Sequence, residues 1–225
     1  MKNEKYKLIE NYMLTCMNDS AHDKDHIYRV LYTAMDIAQT EQNVDYGVLI
    51  CACLLHDIGR KEQYENPSLC HAMVGGDKAY QFLIDNNFKI DFAEKVKNCI
   101  QTHRYRQNNP PQTIEAKILF DADKIDVTGA LGIARTLFYK GIVGEPLYSL
   151  LPNGEVSDGT NDKKPSFFQE YKYKLEKLYN NFYTKRGNKI AKERQKTAVS
   201  FYNSMLNEVK GSYINGPKLL EDIIK

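Results

Sequence analysis

The run from Asp45 to Gly59, DYGVLICACLLHDIG, constrains the fold more than any other part of the chain. Val48 to Leu55 is apolar all round, so a helix here must be enclosed by others instead of lying on a surface. Asp45 is placed to cap its start, and Gly59 to end it as a left-handed residue. The eight apolar residues from Val48 to Leu55 fall well short of the roughly 20 that span a bilayer. The run therefore predicts a central, buried helix, and 225 residues at 42% apolar content supply ample core around it.

Amphipathic helices are legible on either side. Ile27, Val30, Leu31, Ala34, Ile37 and Ala38 follow helical spacing behind a cap at Asp23 or Asp25. Ser68 opens a helix to about Asn86, Asp91 with Glu94 forms a capping-box-like start to another, and a further helix covers Ile114 to Asp126. Residues 141 to 166 hold four glycines and three prolines without periodicity, which predicts a mobile loop or lid. Helical spacing resumes at Phe168, Tyr171, Leu175, Leu178 and Phe182 and continues from Ile190 to Val209. Sustained strand alternation is absent, and the class predicted is all-α.

Composition removes several functions. Thirty-one Lys and Arg against 29 Asp and Glu leave a formal charge of +2, too little for a global field that holds nucleic acid. The basic run Lys185, Arg186, Lys189, Lys192, Arg194 and Lys196 reads as a solvated helix face. Cys16, Cys51, Cys53, Cys70 and Cys99 are odd in number and lack C-x-x-C spacing, so they read as core residues and not as a disulfide frame or zinc knuckle. The first ten residues lack the apolar core of a signal peptide, and a soluble cytoplasmic protein is expected, with no membrane partner. Phosphate-loop, GxSxG and HExxH motifs are also missing. Nothing in the pattern points to an oligomeric state.

All five histidines fall between positions 22 and 103, in the helical first half. His56 and Asp57 close the most buried helix, where a bare carboxylate is costly. Metal coordination resolves that cost, with His26, His56, Asp57 and Asp123 as a two-histidine, two-aspartate set from neighbouring helices. Mixed nitrogen and oxygen ligands without thiolate favour a single open-sited divalent transition ion, Mn²⁺ first, with Fe²⁺, Co²⁺ or Ni²⁺ also suited, over structural Zn²⁺. Gly75 and Gly76 inside the helix that carries His71 imply a close approach to the backbone there.

His26 in DHIYRV, His56 and Asp57 in LLHDIGR, and Asp123 in DADKID together resemble the H…HD…D pattern of the HD-domain metal-dependent phosphohydrolases, over about residues 20 to 140. DADKIDVTGALGIART is further similar to a bacterial subgroup of nucleotide pyrophosphohydrolases, which convert nucleoside triphosphates to monophosphate and pyrophosphate. A single domain over 1–225 is expected: an HD helical bundle at about 20–140, which the resemblance implies, a loop or lid at 141–166 and additional C-terminal helices at 167–225. Of three competing aspartates Asp123 matches the motif, leaving Asp121 and Asp126 as caps or supports; His22 could play a supporting or substrate role. His71 and His103 are read as phosphate contacts in preference to ligands of a second ion, with Arg29, Arg60 and Lys61 neutralising phosphate oxygens. The expected substrate is a small nucleotide. A 5′-nucleotidase-type phosphomonoesterase and a non-catalytic nucleotide sensor are the alternatives.

Overall fold

The computed structural model describes residues 1–17, 24–104 and 109–225, so the expected cap at Asp23 and the role considered for His22 lie outside the described residues. The chain forms two compact units, one of Met1–Asp126 with Phe182–Gly187, the other of Val127–Asn181 with Asn188–Lys225.

The first unit is a helical bundle: α1 (Asn3–Cys16), α2 (Lys24–Ala38), α3 (Tyr46–Leu55), α4 (Arg60–Glu65), α5 (His71–Asp85), α6 (Ile90–Thr102) and α7 (Ile114–Ile125). The apolar run is indeed central, since α3 packs against α1, α2, α5, α6 and α7, and Val48, Leu49 and Cys51 to Leu55 are buried. Asp45 caps it as expected, accepting from the Gly47 and Val48 amides at 2.9 and 3.1 Å. On α2 the predicted stripe from Ile27 to Ala38 is buried. The cap of α7 comes from Thr113, whose hydroxyl accepts from the Ala116 amide.

Two local expectations are corrected. Gly59 is not left-handed, with φ −94°. It is needed for space, because a Cβ there would lie 2.3 Å from the His71 carbonyl oxygen and 2.6 Å from the Gly75 amide nitrogen. The close approach implied by Gly75 is thus to the turn after α3. At α6 no side chain caps the helix, and Asp91 pairs instead with Lys95 at 2.7 Å on the exposed face.

Buried Asp121 ties the segment 182–187 to α7: its carboxylate accepts from the Tyr183 amide at 2.9 Å and from the Thr184 amide and hydroxyl, each at 2.7 Å. That segment includes the first turn of α10 (Lys185–Ile224).

The second unit holds α8 (Gly129–Ile142), α9 (Phe167–Tyr173), a 3₁₀ turn (Leu175–Asn180) and most of α10. Phe167, Phe168, Tyr171 and Tyr202 are buried, with Tyr171 and Tyr202 stacked at 4.0 Å. The aperiodic segment 141–166 has more structure than its sequence shows. Leu150 and Val156 form an antiparallel bridge closed by Gly154 at φ +84°, and Asp162 accepts from the hydroxyls of Ser149 and Ser157 at 2.5 and 2.7 Å. Hydroxyl and carboxylate pairing, rather than hydrophobic periodicity, orders this stretch. Strands are absent among the described residues, and the fold is all-α. No helix among them is long and apolar enough to cross a membrane.

Candidate metal centre

Five helix ends of the first unit meet at one point. His26 projects from the first turn of α2, His56 and Asp57 from the turn closing α3, His71 from the start of α5 and His103 from the end of α6, while Asp123 lies in the last turn of α7. The packing of Gly59 against Gly75 brings His71 to Asp57.

The inward-facing atoms form two triads that share a border. His26 Nε2 lies 3.3 Å from Asp123 Oδ1 and 3.3 Å from His56 Nε2, and His56 Nε2 lies 3.9 Å from the same oxygen. Asp57 Oδ2 faces this triad, 3.6 Å from His26 and 3.8 Å from His56. Its other oxygen, Oδ1, faces His71 and His103 at 3.4 and 3.7 Å, whose Nε2 atoms are 3.3 Å apart. All four imidazoles and Asp57 are buried; Asp123 alone is partly open, with 25% of its side chain accessible.

Hydrogen bonding on the far side of each ring fixes which nitrogen faces inward. His56 Nδ1 donates to the Cys53 carbonyl at 2.8 Å, His103 Nδ1 to the Ile100 carbonyl at 2.6 Å, and His26 Nδ1 to Asp126 Oδ2 at 2.7 Å. His71 Nδ1 donates to Gln63 Oε1 at 2.6 Å, and the orientation of that amide is set by its nitrogen donating to the Leu69 carbonyl. With every Nδ1 committed as a donor, four Nε2 atoms converge, and Nε2 is the ring position that takes a second proton or a metal. Asp57 Oδ1 is buried without a hydrogen-bond partner, although Arg60 Nε lies 2.9 Å away as an ion pair. An orphaned carboxylate oxygen among inward-facing nitrogens fits a cation, and the donor set suits a divalent metal.

The electrostatics agree with this. Burial pushes His56 down to about 4, against the pull of Asp57 and Asp123. Burial likewise brings His71 to about 3, and Arg60 and His103 add to the effect. Burial works against ionisation of Asp57 and Asp123, yet the surrounding imidazoles, with Arg60 beside Asp57, hold both well below the usual carboxylate range. Burial would also depress His26, but Asp123, Asp126 and Asp57 outweigh it and raise the group to about 9. At neutral pH two imidazoles are thus neutral and two carboxylates charged, which is the state in which they ligate metals.

The cationic residues singled out from the sequence are placed differently from one another. Arg60 sits against Asp57; Arg29 grips Asp126 through Nε at 2.8 Å and a terminal nitrogen at 3.1 Å; Lys61 is exposed on α4. Gln63 was not singled out, because it sits in a six-residue helix too short to show periodicity.

Residues 24–128 match the family model described as HD domain. This part of the chain is an HD domain, with the fold of the HD-superfamily hydrolases. Across its length the chain is similar to YpgQ of Bacillus subtilis, 26% identical over 196 residues that cover 85% of this chain and 86% of that protein. A crystal structure of YpgQ in complex with ADP matches with a TM-score of 0.70 at 23% identity, over 91% of this chain and 95% of that one. Lin1889 from Listeria innocua matches at 0.69 and 26% identity, over 93% and 98% of the two chains. A predicted HD superfamily hydrolase from an uncultured Thermotogales bacterium matches at 0.60 and 28% identity, over 89% and 90%.

Proposed function

We propose that this protein is a metal-dependent phosphohydrolase of small nucleotides, converting a (deoxy)nucleoside triphosphate to the monophosphate and pyrophosphate. The observation that carries this is the convergence of four Nε2 atoms on two ionised carboxylates, one of whose oxygens is buried and makes no hydrogen bond. His26, His56, Asp57 and Asp123 would hold a divalent ion, Mn²⁺ first among the candidates. A bound ion supplies a water of lowered pKa and polarises the phosphoryl oxygen under attack.

The tautomers bear on His71 and His103 as well. His71, kept neutral by burial and with its Nδ1 donating to Gln63, presents a lone pair at Nε2, which repels a phosphate oxygen and attracts a cation. This favours a second ion shared through Asp57 over the phosphate contacts that the sequence pointed to. Arg60, partly exposed and beside Asp57, and exposed Lys61 are left to meet the phosphates, and the open side at Asp123 gives them access. That YpgQ was crystallised with ADP supports a nucleotide as the ligand.

The test is a metal-by-substrate screen with the purified protein, reading pyrophosphate and orthophosphate separately. Metal-dependent pyrophosphate from triphosphates is the expected result. Orthophosphate as first product, with monophosphates as best substrates, would replace this reading with a 5′-nucleotidase, and nucleotide binding without turnover under any metal would make the protein a sensor.

A further inference from the structure

The other three imidazoles of the centre lean on neutral oxygens, those of Cys53, Gln63 and Ile100. His26 leans on a carboxylate, and that carboxylate is itself gripped in two places by a guanidinium. We propose that Asp126 and Arg29 are a positioning pair that holds the ring and tautomer of His26 and thereby sets the metal affinity of the His26, His56 and Asp123 triad. The inference rests on the metal-centre reading above, and it gives Arg29 a task other than phosphate binding.

The arrangement is reciprocal between two helices. On α2, Arg29 follows the ligand His26 by three residues; at the end of α7, Asp126 follows the ligand Asp123 by three. Each helix thus supplies one ligand and, one turn on, one support, and the supports join each other as the ligands do. Asp126 is only 4% exposed, so its hydrogen bonds are made away from competing water. With both Asp126 oxygens accepting from Arg29, and Oδ2 also from His26, the carboxylate cannot rotate without breaking a charge-assisted bond. The ring it holds is fixed with Nδ1 outward and Nε2 toward Asp123.

Replacing the carboxylate by an amide tests this directly. In Asp126→Asn the nitrogen must occupy one of the two oxygen positions. At Oδ1 it sets a donor against Arg29; at Oδ2 it sets a donor against His26 Nδ1 and drives the ring to the tautomer that blocks Nε2. Mn²⁺ titration by calorimetry, with Co²⁺ absorption as a probe of ligand geometry, should show an affinity loss of roughly 10- to 100-fold for Asp126→Asn with an altered Co²⁺ spectrum. Arg29→Lys, on a partly exposed side chain, should fold normally and lose affinity to a smaller degree, since an ammonium cannot make the two-point grip. Arg29→Gln combined with Asp126→Asn should lose less than the product of the single losses, because the donor clash at Oδ1 is removed. Wild-type affinity and spectrum in Asp126→Asn and Arg29→Lys, in a protein that itself takes up metal, would overturn the positioning role and leave the metal centre standing. Failure of the wild-type protein to take up Mn²⁺ or Co²⁺ would overturn both.

Discussion

Gly59 and Gly75 touch backbone to backbone, and no side chain fits on Gly59, where a Cβ would stand 2.6 Å from the Gly75 nitrogen. This contact seats α5 against the turn that carries His56 and Asp57. It therefore fixes how far His71 lies from the Asp57 carboxylate, 3.4 Å from Oδ1.

Gly59→Ala should consequently act on stability and on the site together. The obstructing atoms are main chain, so α5 must shift, at a cost of about 1 to 3 kcal/mol. Urea unfolding should show that loss, and metal analysis should show fewer ions bound on the His71 side. Unchanged values of both would mean the contact is not needed.

Asp57 faces both triads, so Asp57→Ala should abolish metal-dependent turnover and metal-induced stabilisation at once. In the wild-type protein, Mn²⁺ at one hundred times its dissociation constant should add about 2.7 kcal/mol. A thermal scan of the variant should show no Mn²⁺-dependent shift. A shift as large as that of the wild type would remove Asp57 from the ligand set.

His71→Ala and His103→Ala distinguish a second ion from a phosphate contact. If both histidines bind metal, each substitution lowers the number of ions per chain, measured by elemental analysis after dialysis. If they touch phosphate, stoichiometry holds and KM rises instead.

His26 couples metal uptake to protons. Its pKa in the folded, metal-free protein is raised to about 9 from 6.5, so its stabilising contribution is complete below about pH 6.5 and is lost as the pH climbs through 9. A metal on Nε2 displaces that proton, and binding at pH 7.5 should release about one proton per ion at this position. Calorimetry in buffers of different ionisation enthalpy reads the number directly; a value near zero would show that His26 is already neutral.

Asp121 tests whether structural and proposed ligating roles divide between two aspartates on one helix. Asp121→Asn should lower stability by about 1 to 2 kcal/mol, since the amide nitrogen must then face the Tyr183 or the Thr184 N–H, donor against donor. Metal affinity should be unchanged. Loss of metal without loss of stability would reopen the choice between Asp121 and Asp123.

The set His26, His56, Asp57 and Asp123 was legible from the H…HD…D motif, with His56 and Asp57 closing a helix that is apolar all round and so had to be enclosed. The support for His26 was not. Asp126 was visible as a spare aspartate, but its partners stand about a hundred positions away, and a pairing at that distance leaves no periodic trace. Gln63 was hidden for a different reason, being in a six-residue helix after an unexpected turn. Gly59 was misread because a glycine at a helix end has two uses, positive φ and absence of a side chain, and only packing tells them apart.

The two oxygens of Asp57 look in opposite directions, Oδ2 toward His26 and His56, Oδ1 toward His71 and His103. A carboxylate in that posture behaves as a seesaw: tilting it toward one pair of imidazoles lifts it from the other. On the proposed metal centre, substitutions around it should therefore trade occupancy of one side for the other, so that metal content would report the tilt of a single side chain.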